Sequence, residues 1–274
     1  MNRLARIAFT WLLVLPAAAA LLSLGGCATR DGVATTASGQ TDLVTDSDEP
    51  EARRRARLRL ELASGYFEQG KTTVALDEVK QALVNDPSYP EAYNLRGLIY
   101  LRLNENRVAE ENFKRALSLS PRDPDAAHNY GYLLCQEGRI NEAIALFGIA
   151  LSNPTYGARA KTLMAQGLCQ MRGGDSASAE RTLLRAYELD AANPITGYNL
   201  ASLLYGRGDY SRAQFYVRRM NASELANAET LWLGIKIERQ LGNTEAAEQL
   251  STQLRRRFAS SREAAALQRG AFNE

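Results

Sequence analysis

The chain has 274 residues, of which 45% are hydrophobic and 23% charged, the proportions of an ordinary globular protein that can bury a sizeable core. Its 33 basic and 31 acidic residues leave a formal net charge of +2, which gives no electrostatic basis for binding nucleic acid or a polyanionic surface. Only 8 prolines occur, and good helix formers are abundant without sustained strand-type alternation, so we expect an all-α fold.

Residues 1–26 have the regions of an export signal in the usual order. Arg3 and Arg6 precede an apolar run over residues 7–24, and small residues follow it. The run is also close to the minimum length of a membrane span, so an uncleaved anchor is the alternative. Removing this segment would leave 31 basic against 31 acidic residues.

The sequence LGGC at residues 24–27 resembles the bacterial lipobox, whose cysteine becomes the first mature residue and carries the lipid. This resemblance implies lipidation of Cys27, and several acyl chains would make the attachment stable. Ala28, rather than aspartate, follows the cysteine, which by the same resemblance implies sorting to the periplasmic face of the outer membrane. The rest of residues 27–49 is small and polar, and we predict a flexible tether with a reach on the order of 25 Å.

From about residue 56 the chain repeats with a period near 34. Prolines follow the first three units, at residues 87, 121 and 154, and small residues recur at two places in every unit. This is the tetratricopeptide pattern, in which small residues let helix A and helix B of a unit approach closely. We predict a solenoid over residues 50–274, with six helix-turn-helix units near 56–89, 90–123, 124–159, 160–193, 194–226 and 227–260. The two sets of small residues are Ala63, Gly97, Gly131, Gly167, Ala201 and Gly234, and Ala75, Ala109, Ala143, Ala179, Ala213 and Ala246.

His128 and Cys135 lie on one face of a predicted helix and suggest a nucleophile with its base. They are separated by two helical turns, about 10.5 Å, whereas such a pair needs roughly 2.6 to 3.2 Å. The chain has one histidine, lacks zinc-ligand spacing, and contains none of the phosphate-binding or serine-nucleophile motifs. We therefore expect no enzyme activity, metal, cofactor or small-molecule substrate.

Cys135 and Cys169 are predicted to form a disulfide. They lie in the helices A of units three and four, about 160° apart in helical phase, so on parallel neighbouring helices they can face each other. An exported protein would meet an oxidising compartment. The alternative is two buried free thiols that pack as small hydrophobic groups.

In tetratricopeptide proteins helix A lines the concave face, and we predict a partner-binding groove there. Its amide, aromatic and charged side chains suit an extended peptide or a helix, although any one of them could instead be merely solvated or packed. The predicted groove residues are Glu91, Asn94, Arg102, His128, Tyr132, Gln136 and Tyr198.

Three segments, residues 128–169, 200–216 and 229–263, resemble the type IV pilus biogenesis/stability lipoproteins, the pilotins of the pilus secretin. The resemblance covers about residues 56–262, with departures at His128, where the family often has asparagine, and at Ala259, where proline is common. It implies an outer-membrane lipoprotein that helps the secretin subunit localise or multimerise and so supports pilus assembly and twitching motility. The alternative is another periplasmic tetratricopeptide adaptor, for outer-membrane assembly or for regulation of cell-wall enzymes.

Overall fold

The structure is a computed structural model that describes residues 48–272. The predicted signal, Cys27 and nearly all of the predicted tether lie outside the described residues. Within the described range the chain is all-α, and no helix there is long and apolar enough to cross a membrane. The helices are α1 (Glu51–Glu68), α2 (Thr72–Asn85), α3 (Pro90–Arg102), α4 (Asn106–Leu119), α5 (Pro124–Gln136), α6 (Ile140–Ser152), α7 (Arg159–Arg172), α8 (Ser176–Leu189), α9 (Pro194–Gly206), α10 (Tyr210–Asn221), α11 (Ala228–Gln240), α12 (Thr244–Arg257) and α13 (Arg262–Arg269).

The first twelve helices pair as helix A and helix B of six consecutive units, α1 with α2 through α11 with α12. Each helix B also packs against the helix A of the next unit, and helices A of neighbouring units touch, for example α3 with α5 and α5 with α7. This arrangement confirms the predicted tetratricopeptide superhelix. It places a row of helices A side by side along one face.

The turn between helix A and helix B is built in the same way in all six units. The second residue after the end of helix A adopts a left-handed conformation, with φ between 60° and 82°, which reverses the chain within a few residues. Glycine takes this position because it lacks a Cβ, and asparagine, which tolerates the conformation, replaces it in unit two. The residues are Gly70, Asn104, Gly138, Gly174, Gly208 and Gly242.

The core runs between the two helices of each unit, where small residues let a large side chain fit. A Cβ on Gly97 would lie 2.5 Å from the ring of Phe113, and one on Gly131 would lie 3.0 Å from the ring of Phe147. Both rings are fully buried. The repeated small residues are therefore required by close packing between helix A and helix B.

The sixth unit differs from the predicted alignment by one position. Ala247 is buried there, whereas Ala246, which the repeat pattern selected, is half-buried. Gly234 faces the helices B of two units, since a Cβ on it would lie 2.5 Å from the side-chain amide of Asn221 in α10 and 3.0 Å from the side chain of Leu250 in α12. Asn227 caps α11 by accepting a hydrogen bond from the backbone amide of Thr230. The helix therefore begins at Ala228, one residue after the predicted start of unit six.

Helix α13 was not predicted and closes the end of the described superhelix. It packs on α11 and α12, and Leu231 and Ile235 of α11 are buried in one cluster with Ala264 and Ala266. Trp232 stacks on Phe272 just beyond α13, with ring centroids 5.3 Å apart. A terminal helix that covers the last apolar face is what a solenoid needs for solubility.

Candidate functional site

The candidate site is the groove formed by the helices A, which are α1, α3, α5, α7, α9 and α11. Six of the seven predicted groove residues are at least partly exposed to solvent. Tyr132 of α5 is 46% exposed, and Ile195 at the start of α9 is 51% exposed. Glu91, Arg102, Tyr132 and Gln136 are exposed, and Asn94 and Tyr198 are half-buried.

In the first half of the groove, some of these side chains also join neighbouring units. The guanidinium of Arg102 lies 3.6 Å from the ring centroid of Phe67 and donates to the carbonyl of the same residue. The amide of Asn129 donates to the side-chain oxygen of Asn94 at 3.0 Å. Both contacts connect consecutive helices A, so they fix the relative positions of these helices. Part of each side chain remains available to contact a partner.

A covalent bond joins the middle of the groove. Cys135 of α5 and Cys169 of α7 form a disulfide, with their Cα atoms 5.8 Å apart. Beside it, the Arg172 guanidinium donates to the carbonyl of Cys135 at 2.9 Å. Units three and four are therefore connected at their helices A by a disulfide and a hydrogen bond.

The prediction that His128 lines the groove is wrong. Its side chain is 5% exposed and packs between Phe147 of α6, at 5.9 Å between ring centroids, and Thr162 of α7, whose hydroxyl lies 2.8 Å from Nδ1. Burial, together with the nearby Lys161 charge, lowers the pKa of His128 to about 4 and outweighs the opposing effect of Asp125. The imidazole is therefore a neutral core group that bridges two units.

The second half of the groove is aromatic and includes the ammonium group of Lys236. Lys236 Nζ lies 5.4 Å from the ring centroid of Tyr205 and 5.7 Å from that of Trp232. Burial lowers the pKa of Lys236 and raises the pKa of Tyr198, whose ionised form Glu229 also disfavours. Aromatic surface beside an ammonium group suits a peptide with apolar side chains and an occasional acidic one.

A polar cluster outside the groove fixes α4 to α5. Glu110 forms an ion pair with Lys114 at 2.8 Å and accepts from the Tyr130 hydroxyl at 2.7 Å and from Arg139 at 2.8 Å. Burial alone would raise the pKa of Glu110, but these three donors outweigh it and hold the pKa at about 2. The repeat pattern does not predict this cluster, because its contacts join α4 to α5 and to the turn before α6.

Helix α1 presents a second apolar surface. Leu58 and Leu62 are each 51% exposed and line a shallow depression with Tyr66. Within residues 48–272 no helix precedes α1 to cover this face. The sequence pattern gave no sign of it, because the same positions are covered in later units by the preceding helix B.

Comparison with known proteins finds tetratricopeptide repeat families and a type IV pilus assembly protein. Tetratricopeptide repeat families match residues 60–124 and 100–167. The type IV pilus assembly protein PilF of Pseudomonas aeruginosa is 27% identical over 228 residues, which are 83% of this chain and 89% of that protein.

Two solved structures are similar over most of their length. The crystal structure of PilW, described as a widely conserved type IV pilus biogenesis factor, superimposes with a TM-score of 0.70 at 30% identity and covers 77% of this chain and 97% of PilW. The structure of P. aeruginosa PilF gives a TM-score of 0.74 at 24% identity, with 81% of this chain and all of PilF covered, and this likeness shows the fold.

Proposed function

Because the chain belongs to the family of tetratricopeptide proteins of type IV pilus biogenesis that includes PilW and PilF, we propose that it acts as a pilotin. In this role it is anchored in the outer membrane by lipid on Cys27 and binds the pilus secretin subunit, which it helps to localise and multimerise. The observation that carries the proposal is the likeness to PilW, which extends over nearly all of that protein.

The sequence before the superhelix supports the membrane part of the proposal. The LGGC sequence ending at Cys27 provides the lipid attachment, and the polar segment up to residue 49 lets the superhelix stand away from the membrane. A carrier that holds its client close to the outer membrane needs both features. Neither requires a cofactor or a nucleic acid.

The groove supports the binding part. Its helices are held by the disulfide and by side-chain bonds between units, so little conformational entropy is lost when a partner binds. Tyr132 and Tyr198 offer aromatic surface, and Gln136 offers a side-chain amide, for an extended segment or a helix of the secretin subunit. Binding through such a surface is a scaffold activity that involves no bond breaking.

The test is a pull-down from membranes with the lipidated protein as bait. The double variant Tyr132→Ala/Tyr198→Ala removes both aromatic groups from the groove, and Val84→Ser serves as a control because Val84 is 74% exposed on a helix B. We expect the secretin subunit to be recovered with the wild type and the control and to be reduced at least about tenfold with the double variant, the loss expected when central aromatic contacts are removed. Recovery of outer-membrane assembly factors or cell-wall enzymes in place of the secretin would reject the pilotin role and favour the adaptor alternative.

A further inference from the structure

A cavity of about 230 Å³ lies on the side of the helices B, between α8, the start of α9 and the end of α10. It is smaller than the roughly 300 to 1,000 Å³ of typical small-molecule sites, so it can hold one side chain rather than a cofactor. We call it the socket. Its walls include Tyr187, Gly197, Tyr216, Arg219, Met220 and Leu225.

The internal repeat shows what kind of group fits the socket. In unit three the corresponding space is filled by Tyr156, which is 8% exposed and packs against Ala127 and Ala150. Leu117 and Ile149 complete its surroundings. One constant offset in residue number relates the surroundings of Tyr156 to the socket. By this offset Gly197 corresponds to Ala127, Met220 to Ala150, Tyr187 to Leu117 and Arg219 to Ile149.

At the same offset, the residue that corresponds to Tyr156 is Ala226. Ala226 is 4% exposed, and its methyl group leaves the space of a tyrosine ring unfilled. Gly197 keeps the floor of the socket open, because a Cβ there would lie 3.2 Å from the sulfur of Met220 and 3.8 Å from the ring of Tyr187. The socket therefore lacks the aromatic ring that Tyr156 provides in unit three.

Tyr187 and Arg219 each bring a hydrogen-bond donor to the socket. The hydroxyl of Tyr187 is buried and has no hydrogen-bond partner among residues 48–272, an arrangement that folded proteins normally avoid. Arg219, with its guanidinium 5.9 Å from the ring centroid of Tyr187, forms no ion pair within the same residues. The units before unit four have leucine in place of Tyr187, namely Leu83, Leu117 and Leu151. A hydroxyl and a guanidinium together favour a carboxylate over a neutral acceptor.

We propose that the socket binds an aromatic side chain of a partner protein that has a carboxylate beside it. The ring occupies the space that Tyr156 fills in unit three, and the carboxylate accepts from Tyr187 and Arg219. Because the socket lies on the helix B side, its ligand and a partner in the groove can be bound at the same time. The socket is therefore a second interaction surface, separate from the proposed secretin site.

The probe is N-acetyl-L-phenylalanine, which has one aromatic ring and one carboxylate, and its uncharged amide is the matched control ligand. They are titrated into the full-length lipidated protein in detergent, with the ¹³C-labelled methyl group of Met220 as an NMR reporter inside the socket. We expect a saturable shift of this signal with the acid and at least about tenfold weaker binding of the amide, the effect of losing a charge-assisted hydrogen bond.

Three variants complete the test. Tyr187→Phe removes only the hydroxyl and should weaken binding several-fold, Gly197→Leu fills the socket and should abolish binding, and Tyr210→Phe removes a hydroxyl elsewhere and should leave it unchanged. If Gly197→Leu does not fold, Tyr187→Phe and the amide still decide the question. A shift that does not saturate, or that is equal in wild type and Tyr187→Phe, overturns the proposal. A dimer that Gly197→Leu dissociates in sedimentation velocity would assign the socket to a second copy of the chain and also overturn it.

Discussion

The hydroxyl of Thr162 lies 2.8 Å from Nδ1 of His128, across the boundary between the third and fourth units. This contact uses the only histidine of the chain to hold two units together rather than to contact a partner. The contribution of His128 to stability depends on pH, because burial disfavours the protonated imidazole.

We predict that the protein loses stability on mild acidification and that His128 causes this loss. Its pKa is about 4 in the folded chain against an ordinary value of 6.5, so the unfolded chain binds more protons between these two values. The histidine's contribution is therefore complete above about pH 6.5 and is lost as the pH falls toward 4. From pH 7 to pH 5 the free energy of unfolding should fall by about 1 to 2 kcal/mol.

The measurement is urea unfolding at both pH values for the wild type and for His128→Asn. The variant keeps a polar side chain but does not titrate, so most of this pH dependence should disappear. An equal loss of stability in the two proteins would show that other groups cause it. The effect of His128 can be told apart from that of Glu110 by its pH range. Because the pKa of Glu110 is about 2, its contribution to stability is lost only at lower pH, between about 4.5 and 2.

The disulfide gives the second prediction. Reduction of the bond between Cys135 and Cys169 should lower the free energy of unfolding by about 3 to 4 kcal/mol, because the cross-link restricts a loop of 34 residues in the unfolded chain. Thermal unfolding with and without a reductant measures this loss. The variant Cys135→Ala/Cys169→Ala should be insensitive to reductant, which separates loss of the bond from any other effect of the reagent. Two alkylatable thiols in protein isolated without reductant would contradict the bond.

A pair of glycines gives the third prediction. Gly97→Ala should destabilise the protein by about 1 to 3 kcal/mol, because the new Cβ would lie 2.5 Å from the fully buried ring of Phe113. Gly148→Ala is the matched control, since Gly148 is exposed within α6 and a Cβ there would meet nothing within 4 Å. That change should stabilise by up to about 1 kcal/mol through helix propensity. Equal effects in denaturant unfolding would refute the role of close helix packing at Gly97.

Lipidation gives the fourth prediction. Cys27→Ser should move the protein from the membrane fraction to the soluble periplasmic fraction, because serine cannot form the thioether that carries the lipid. Fractionation and metabolic labelling with a radioactive fatty acid measure the change. Retention of the serine variant in the membrane would instead support the uncleaved anchor, which the apolar run over residues 7–24 also permits.

The sequence predicts the paired helices well, because close packing requires a small residue at the same two places of each unit. Gly97 and Gly131 illustrate this, since each faces a fully buried phenylalanine. The same rule is less exact in unit six, where Gly234 faces both Asn221 and Leu250 and the buried alanine is one position later. Residue type alone does not reveal which neighbouring side chain a small residue packs against.

The groove was harder to predict, because burial depends on neighbours from other units. His128 occupies a position that faces the groove in other tetratricopeptide proteins, yet Phe147 and Thr162 enclose it here. Helix α13, which lies outside the repeat and was not expected, packs on α11 and shares a buried cluster with Leu231 and Ile235. The helix nevertheless has local signals in Ser261, which caps its start, and in Gly270, which ends it in the left-handed conformation.

The most direct test of the pilotin role is the amount of heat-resistant secretin multimer in a strain that lacks this protein. Membranes of the deletion strain are compared on denaturing gels with those of strains complemented by the wild type, by Tyr132→Ala/Tyr198→Ala or by Val84→Ser, with twitching motility as a second readout. The proposal predicts loss of multimers and of twitching in the deletion strain, recovery with the wild type and Val84→Ser, and poor recovery with the groove variant. Normal multimers and normal twitching in the deletion strain would contradict it.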